Sequence, residues 1–468
     1  MNKRRVFLLI AGPAILAFCI FLLPIPFRCA AAIGTVAWMG FWWVTAPVDY
    51  AVTAFLPIAV NAFLQITDMS AIIQNYASET IMLLFGASVL TVSWEETGLD
   101  RRIAACLLSF IGENLRKQLI FWFLLSAALS SILPNSIVVS TITPIAIAML
   151  RYVGEMDKTD SDVSPRLLLC IAYAAGIGGL ASPLGGAMNL LTVEYLQDLT
   201  GNEYMYTGWI LRFLPIMTVL LISNILFMIH GIDKKTSLGG SKEYFKKEYK
   251  NFSPMELDEK LSLFLFIIAT VLSFTRVLYK DYLPELKPAY IFIICAMLSF
   301  LIIRKGGARL MIWNRVQQRV VWDLIFVFAG GFAAGTLINN SGAADLIGLA
   351  VANLGLTGGF TTVFVIILFT VSLSDITSST ATAAVSIPII ISVMKGIGLN
   401  PIPYIYIASL GFNISYTLPT SIRSIPVAYG VPPKYMFQKG WKLTILVVIL
   451  MSIMSYLMLQ YWPYFSTV

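Results

Sequence analysis

The sequence predicts an all-α polytopic membrane protein folded as an inverted repeat, with about 11 transmembrane helices plus two re-entrant hairpins. Three observations lead there. Of 468 residues, 58% are apolar and 12% are charged, about half the charged share of an ordinary soluble domain. One sequence offset, 244 residues, repeatedly brings like residues into register. Two segments, 120–150 and 364–393, each read as paired apolar arms around a polar, hydroxyl-rich centre.

The apolar runs come first. Uncharged stretches such as 7–23, 213–228 and 443–459 approach the ~20 residues that cross a hydrocarbon core. The first reads as a span, not a cleavable signal, because it is long and no small-residue cleavage site follows it. Expected spans cover 7–27, 31–47, 50–66, 80–99, 166–195, 208–231, 259–278, 286–303, 320–338, 401–430 and 438–460.

The repeat comes next. Gly86 and Gly98 fall on Gly330 and Gly342, Glu79 on Asp323, Asn135-Ser136 on Ser379-Thr380, and Pro144 on Pro388. These matches run over 66 positions without a gap, which favours duplication over chance. The polar centres, Leu133-Pro134-Asn135-Ser136 and Thr377-Ser378-Ser379-Thr380, sit between arms of about 15 residues, which rise only about 23 Å as helix against a core of about 30 Å. Re-entrant hairpins fit better than pairs of full spans.

Charge supplies an independent check. If each hairpin returns to its starting side, the basic clusters at 3–5, 101–102, 116–117, 151, 234–250, 304–319 and 434–442 all fall on one side, as the cytoplasmic excess of Lys and Arg requires. Loops 68–79, 197–203 and 339–359 on the other side contain neither residue. Arg28, Arg212, Arg276, Lys280, Lys287 and Lys395 are exceptions at or near the outer side. The expected placement is the plasma (inner) membrane, N-terminus cytoplasmic and C-terminus outside. Five spans between the hairpins invert the second copy, so that both tips meet near the midplane in an alternating-access layout. The regions are 1–110 (scaffold), 111–231 (transport, first repeat), 232–258 (cytoplasmic loop), 259–345 (scaffold) and 346–468 (transport, second repeat).

Several function classes recede. The net charge of +7 follows membrane topology, so nucleic acid is not an expected partner. Cys19, Cys29, Cys106, Cys170 and Cys295 show no paired spacing, and His230 is the only histidine, which disfavours disulfides, metal centres and His-dependent nucleophiles. Glu95 and Glu96 read as interfacial charges near a span end. Hydroxyls are plentiful without a base to activate them, so no enzyme is expected and no cofactor. A channel does not need two inverted hairpins.

Two spans also carry breaks, one at Gly178-Gly179, Ser182-Pro183 and Gly185-Gly186, the other at 417–421. Backbone freed within a bilayer has to line protein or a water-filled cavity. Helix N-termini there suit carboxylates, while carbonyls and hydroxyls suit cations. Asn135, Ser136, Ser379 and Thr380 are the expected contacts for a small dianion. The plain alternative is that each Ser or Thr back-bonds to its helix and each Gly allows close packing. Clustering at four breaks weighs against it.

At these residues the chain resembles the divalent anion/sodium symporter family, carriers of succinate, malate, citrate and related anions, whose two hairpin tips carry Ser-Asn-Thr. The second tip, Ser378-Ser379-Thr380, matches with Ser in place of Asn; the first, Pro134-Asn135-Ser136, matches less well. The resemblance covers nearly the whole chain and implies a homodimer with an elevator-type movement. It also implies Na+ sites: Ser130, the Pro134 position, Asn135 and backbone near Gly185 in one half; Ser374, Ser378, Ser379 and backbone near Thr420 and Ser421 in the other. Pro134 has no hydroxyl to offer. The family's Pro-Pro-Asn after each break reads Ala187-Met188-Asn189 and Arg423-Ser424-Ile425.

Arg423 has two readings. A permanent cation within a span suggests function: it can replace the charge of a Na+ and fork onto a carboxylate, which favours Na+-independent exchange of C4–C6 di- or tricarboxylates of the succinate, 2-oxoglutarate or malate type. Alternatively it pairs with Asp375 or snorkels. The competing mode is Na+-coupled symport, with Na+ as the co-transported ion.

Overall fold

A computed structural model describes residues 3–156, 158, 161–250, 252–304, 306–352 and 357–468. Part of the expected 339–359 loop therefore lies outside the described residues. The chain opens with α1 (Lys3–Leu22), α2 (Phe27–Thr45), α3 (Tyr50–Thr53), α4 (Leu56–Leu64) and α5 (Met69–Ile73), followed by α6 (Glu79–Thr97) and α7 (Leu99–Leu108). The first hairpin is α8 (Leu115–Ser130) and α9 (Asn135–Tyr152); the first broken span is α10 (Val163–Gly179) and α11 (Ala187–Thr200). Then come α12 (Tyr206–Ile229), α13 (Ser241–Lys250), α14 (Leu257–Phe274), α15 (Pro288–Ser299), α16 (Trp313–Val316), α17 (Trp322–Asn340) and α18 (Ala343–Ala352). The second hairpin is α19 (Phe360–Ile376) and α20 (Ser379–Gly396); the second broken span is α21 (Ile402–Asn413) and α22 (Ser424–Ala428), and α23 (Pro433–Tyr461) ends the fold. It is an all-α polytopic membrane protein.

The duplication is written into element boundaries. Helix α9 begins at Asn135 and ends at Tyr152, and α20 begins at Ser379 and ends at Gly396, each boundary displaced by the same 244 positions. Both first arms lie against the broken helix of their own half through glycine. A Cβ on Gly178 would run into the Ala127 carbonyl of α8, and one on Gly411 would run into Thr370 Oγ1 of α19. Close backbone approach of this kind holds helices together in lipid, where apolar surface gives no net drive.

Helix termini follow their sequence signals. Ser78 and Asn114 cap α6 and α8 through their side chains, Glu256 and Glu259 form a capping box on α14, and Gly98 closes α6 with φ 75°. The structure departs from the expected spans in places. Segment 50–66 is not one helix but α3 and α4, with Pro57, which cannot donate a helical hydrogen bond, in the first turn of the second piece. Helices α5, α7, α13 and α18 lie in stretches expected as loops. Of these, α13 is Lys-rich and strongly amphipathic in sequence, a pattern of 3.6-residue periodicity too short and too charged for a span search to detect. Glu95 and Glu96 do pair at a span end: Arg319 reaches Glu96 at 2.9 Å and Glu95 at 3.8 Å, and Arg304 reaches Glu96 at 3.4 Å.

Candidate substrate cavity at the hairpin tips

Each hairpin turns over a serine. At the end of α8, Ser130 Oγ lies 2.6 Å from Asn135 Oδ1 and 2.8 Å from the Ala175 carbonyl of α10. At the end of α19, Ser374 Oγ lies 3.3 Å from Ser379 Oγ and 3.0 Å from the Phe412 carbonyl of α21. Ser130 and Ser374 are 244 residues apart, as are Asn135 and Ser379. One hydroxyl thus ties each tip to its broken helix in the same way twice.

The tips open on one cavity of about 690 Å³. Pro134, Asn135 and Ser136 line it from the first tip, Ser378, Ser379 and Thr380 from the second. Gly186, Ala187 and Met188 belong to the first break, and Ser421 to Ile425 to the second. Tyr50 and the start of α17, including Trp322 and Asp323, complete the wall. The starts of α9, α11 and α20 therefore all border it, each presenting unpaired N–H groups and the positive end of a helix dipole. At α20, Ser378 Oγ accepts the Ala381 N–H at 3.1 Å.

Arg423 lies 2% exposed at the cavity, beside Ser421, which takes a left-handed φ of 50°, a conformation uncommon for a side-chain-bearing residue. Its Nη2 donates to the Asn413 carbonyl at 3.2 Å, and its Nε has no partner among the described residues. The alternative ion pair with Asp375 is not formed. Asp375 Oδ1 instead accepts the Thr417 N–H at 3.0 Å, and Thr420 Oγ1 donates to the Asp375 carbonyl at 3.1 Å. The break after α21 leaves backbone donors that the carboxylate satisfies, so its hydrogen-bonding role is local.

Among the residues expected to hold a cation, Ser130, Ser374, Gly185 and Thr420 sit behind the cavity wall, not on it. A Cβ on Gly185 would lie 2.5 Å from the Ser130 carbonyl and 2.7 Å from that of Gly179. Together with Asn135 Oδ1 and Ser130 Oγ, these make a set of neutral oxygens that suits a hard cation. The second tip differs. Phe412 O faces Ser374, while the next carbonyl, Asn413 O, already accepts from a guanidinium.

Sequence reasoning missed the link between the halves. Asn189 Nδ2 donates to the carbonyls of Gly179 and Ser182 at 2.6 and 2.9 Å, and its Oδ1 accepts from Asn413 Nδ2 at 2.8 Å. Both amides are fully buried. Asn189 keeps the Asn of the family's Pro-Pro-Asn after the first break, whereas the signal of Asn413 in sequence was being Asn within an apolar run.

Known proteins point the same way. A family model described as citrate transporter matches residues 41–411. A sodium-dependent dicarboxylate transporter, SdcS, of Staphylococcus saprophyticus is 25% identical over 437 residues, covering 90% of this chain and 84% of the relative. Its namesake from Staphylococcus aureus strain MRSA252 is 26% identical over 472 residues, covering 96% and 90%. Two solved structures share the fold: the Neisseria gonorrhoeae MtrF pump, with TM-score 0.55 and 14% identity over 96% of this chain and 97% of that one, and the Alcanivorax borkumensis YdaH transporter, with TM-score 0.52 and 12% identity over 84% and 88%. The family match spans most of the cavity's wall and both hairpins, and the chain belongs to the citrate transporter family.

Proposed function

We propose that this chain is a secondary carrier of small dicarboxylates of the succinate, malate or 2-oxoglutarate type, coupled to Na+ at the first hairpin tip. One observation carries the reading: two hairpin tips, each a helix N-terminus with hydroxyl or amide side chains, border a single cavity with a buried arginine. The carboxylates of a dianion would meet Asn135 and Ser136 at one tip and Ser379 and Thr380 at the other. The Arg423 guanidinium, with Nε unspent, adds a charged donor.

Na+ coupling is favoured over the exchange expected from sequence, because the relatives are named for sodium dependence and because the oxygens around Ser130, Asn135, Gly179 and Gly185 are neutral. The second tip fits a cation poorly. Two unit charges about 5 Å apart repel by roughly 3 kcal/mol at an effective dielectric constant of about 20, and Arg423 is hydrogen-bonded one carbonyl away from the Ser374 contact. Arg423 therefore stands in for a second ion, and coupling rests on Ser130, Asn135 and the Gly185 turn.

That same arginine favours a second reading, Na+-independent exchange. Purified protein in liposomes separates the two. Under the first, labelled succinate enters with an inward Na+ gradient and needs no internal anion. Uptake that ignores Na+ and requires internal dicarboxylate would establish exchange. The broader arrangement we propose is a homodimer in the plasma (inner) membrane, N-terminus cytoplasmic and C-terminus outside, with the two hairpins and broken spans moving as an elevator.

A further inference from the structure

Two charged side chains are among the described residues that line the cavity, Arg423 and Asp323. Asp323 lies in the first turn of α17 and is exposed to the cavity. Among the described residues no side chain bonds to it. Its counterpart 244 residues earlier, Glu79, is at the equivalent start of α6 and is neutralised there: Lys287 Nζ donates to it at 2.7 Å and Tyr290 OH at 3.2 Å. The duplication thus left one acidic residue paired and its copy facing the substrate space. The α17 dipole stabilises Asp323 by a partial charge only, so a net negative charge remains on that wall. The wall is also held in place, because Val321 N–H donates to Ser88 Oγ at 3.2 Å and Trp322 Nε1 to the Gln317 carbonyl at 2.8 Å.

We infer that Asp323 sets how many carboxylates the site accepts, admitting dianions and rejecting trianions. The inference rests on the dicarboxylate-carrier reading above. Both carboxylates of a dianion are satisfied at the hairpin tips and Arg423. A third has the α17 wall to face, where Val320, Val321, Leu324 and Val327 offer no donor side chain and Asp323 repels it. At the effective dielectric constant of about 20 that applies near a protein surface, such repulsion is strong enough to change relative affinity by about tenfold.

Glutarate and tricarballylate make the test clean, because they share one backbone and differ by a single carboxylate. Each competes with labelled succinate for binding to the purified full-length chain, in Na+ buffer at about pH 8, where carboxylates are ionised. Glutarate should outcompete tricarballylate in the native protein. Asp323→Asn and Asp323→Ala should narrow that gap about tenfold, while Asp323→Glu keeps it. An unchanged ratio in Asn and Ala variants, or no preference in the native protein, overturns the inference. So does loss of all binding in Asp323→Asn with Asp323→Glu intact, since the carboxylate would then be required and not selective. If the native chain binds neither succinate nor glutarate, the carrier reading itself fails, which is a distinguishable result.

Discussion

Ser130 and Ser374 make the same pair of contacts in the two halves, yet their neighbours differ in charge. Around Ser130 every ligand-forming atom is a neutral oxygen; near Ser374 a guanidinium already holds a carbonyl. Ser130→Ala removes one oxygen and frees Asn135. The loss of a buried hydrogen bond of about 1 kcal/mol should raise the Na+ concentration for half-maximal succinate uptake roughly fivefold. The equivalent Ser374→Ala should leave that Na+ dependence where it is. Equal shifts in both would make the two tips equivalent and remove the special role of Arg423. Arg423→Ala should weaken succinate binding by roughly tenfold to a hundredfold, as a lost charge-assisted hydrogen bond does. Arg423→Lys should recover part of it, because the charge returns without the fork. Native binding in folded Arg423→Ala protein would reduce the arginine to a helix-end strut for Asn413.

At the scale of elements, close backbone contact holds each hairpin to its broken helix. Gly178 against Ala127 and Gly411 against Thr370 are the two crossings. Gly178→Ala should cost about 1–3 kcal/mol through overpacking, read as a lower unfolding temperature of the detergent-purified protein together with loss of transport. Gly40→Ala is the control: nothing stands within 4 Å of the added carbon, and stability should hold. Both hairpins, both breaks and the tip residues were legible in the sequence, because gaps in hydropathy, prolines and hydroxyl clusters are local signals and the 244-residue offset ties them into pairs. The bridge between Asn189 and Asn413 was not legible. It depends on two breaks meeting in space, and a buried amide leaves no pattern along the chain. Asp375 misled for a related reason: as an acidic residue within a hairpin it offered Arg423 a charge partner, whereas the nearest unsatisfied groups were the backbone donors at Thr417. Helices α7 and α13 escaped because amphipathic helices beside a membrane lack the long apolar run that identified the spans.

Motion of the whole molecule has a definite structural cost if the two hairpins and broken spans travel as one body. Contacts between that body and the rest would then have to break in every cycle. Two stand out on one side. Thr80 of α6 hydrogen-bonds Glu194 of α11, and Arg276, beyond α14, forks onto Glu203, beyond α11, at 2.7 and 3.1 Å. Arg276 is also fixed to the carbonyls of Leu283 and Pro284 at 2.8 and 2.6 Å, so in such a movement its side of the pair would stay with that turn. A forked pair of this kind is directional as well as strong, and holding it closed should trap one state. With cysteines at Glu203 and Arg276, a short thiol-reactive linker should stop succinate transport in liposomes while succinate binding persists, and cleaving the linker should restore transport. Arg276→Ala alone should shift the balance between states and change the maximal rate more than the half-saturating concentration. Full transport through a quantitatively linked protein would mean that the 111–231 and 259–345 regions do not separate there, and the elevator arrangement would give way to a smaller local gate at the hairpin tips.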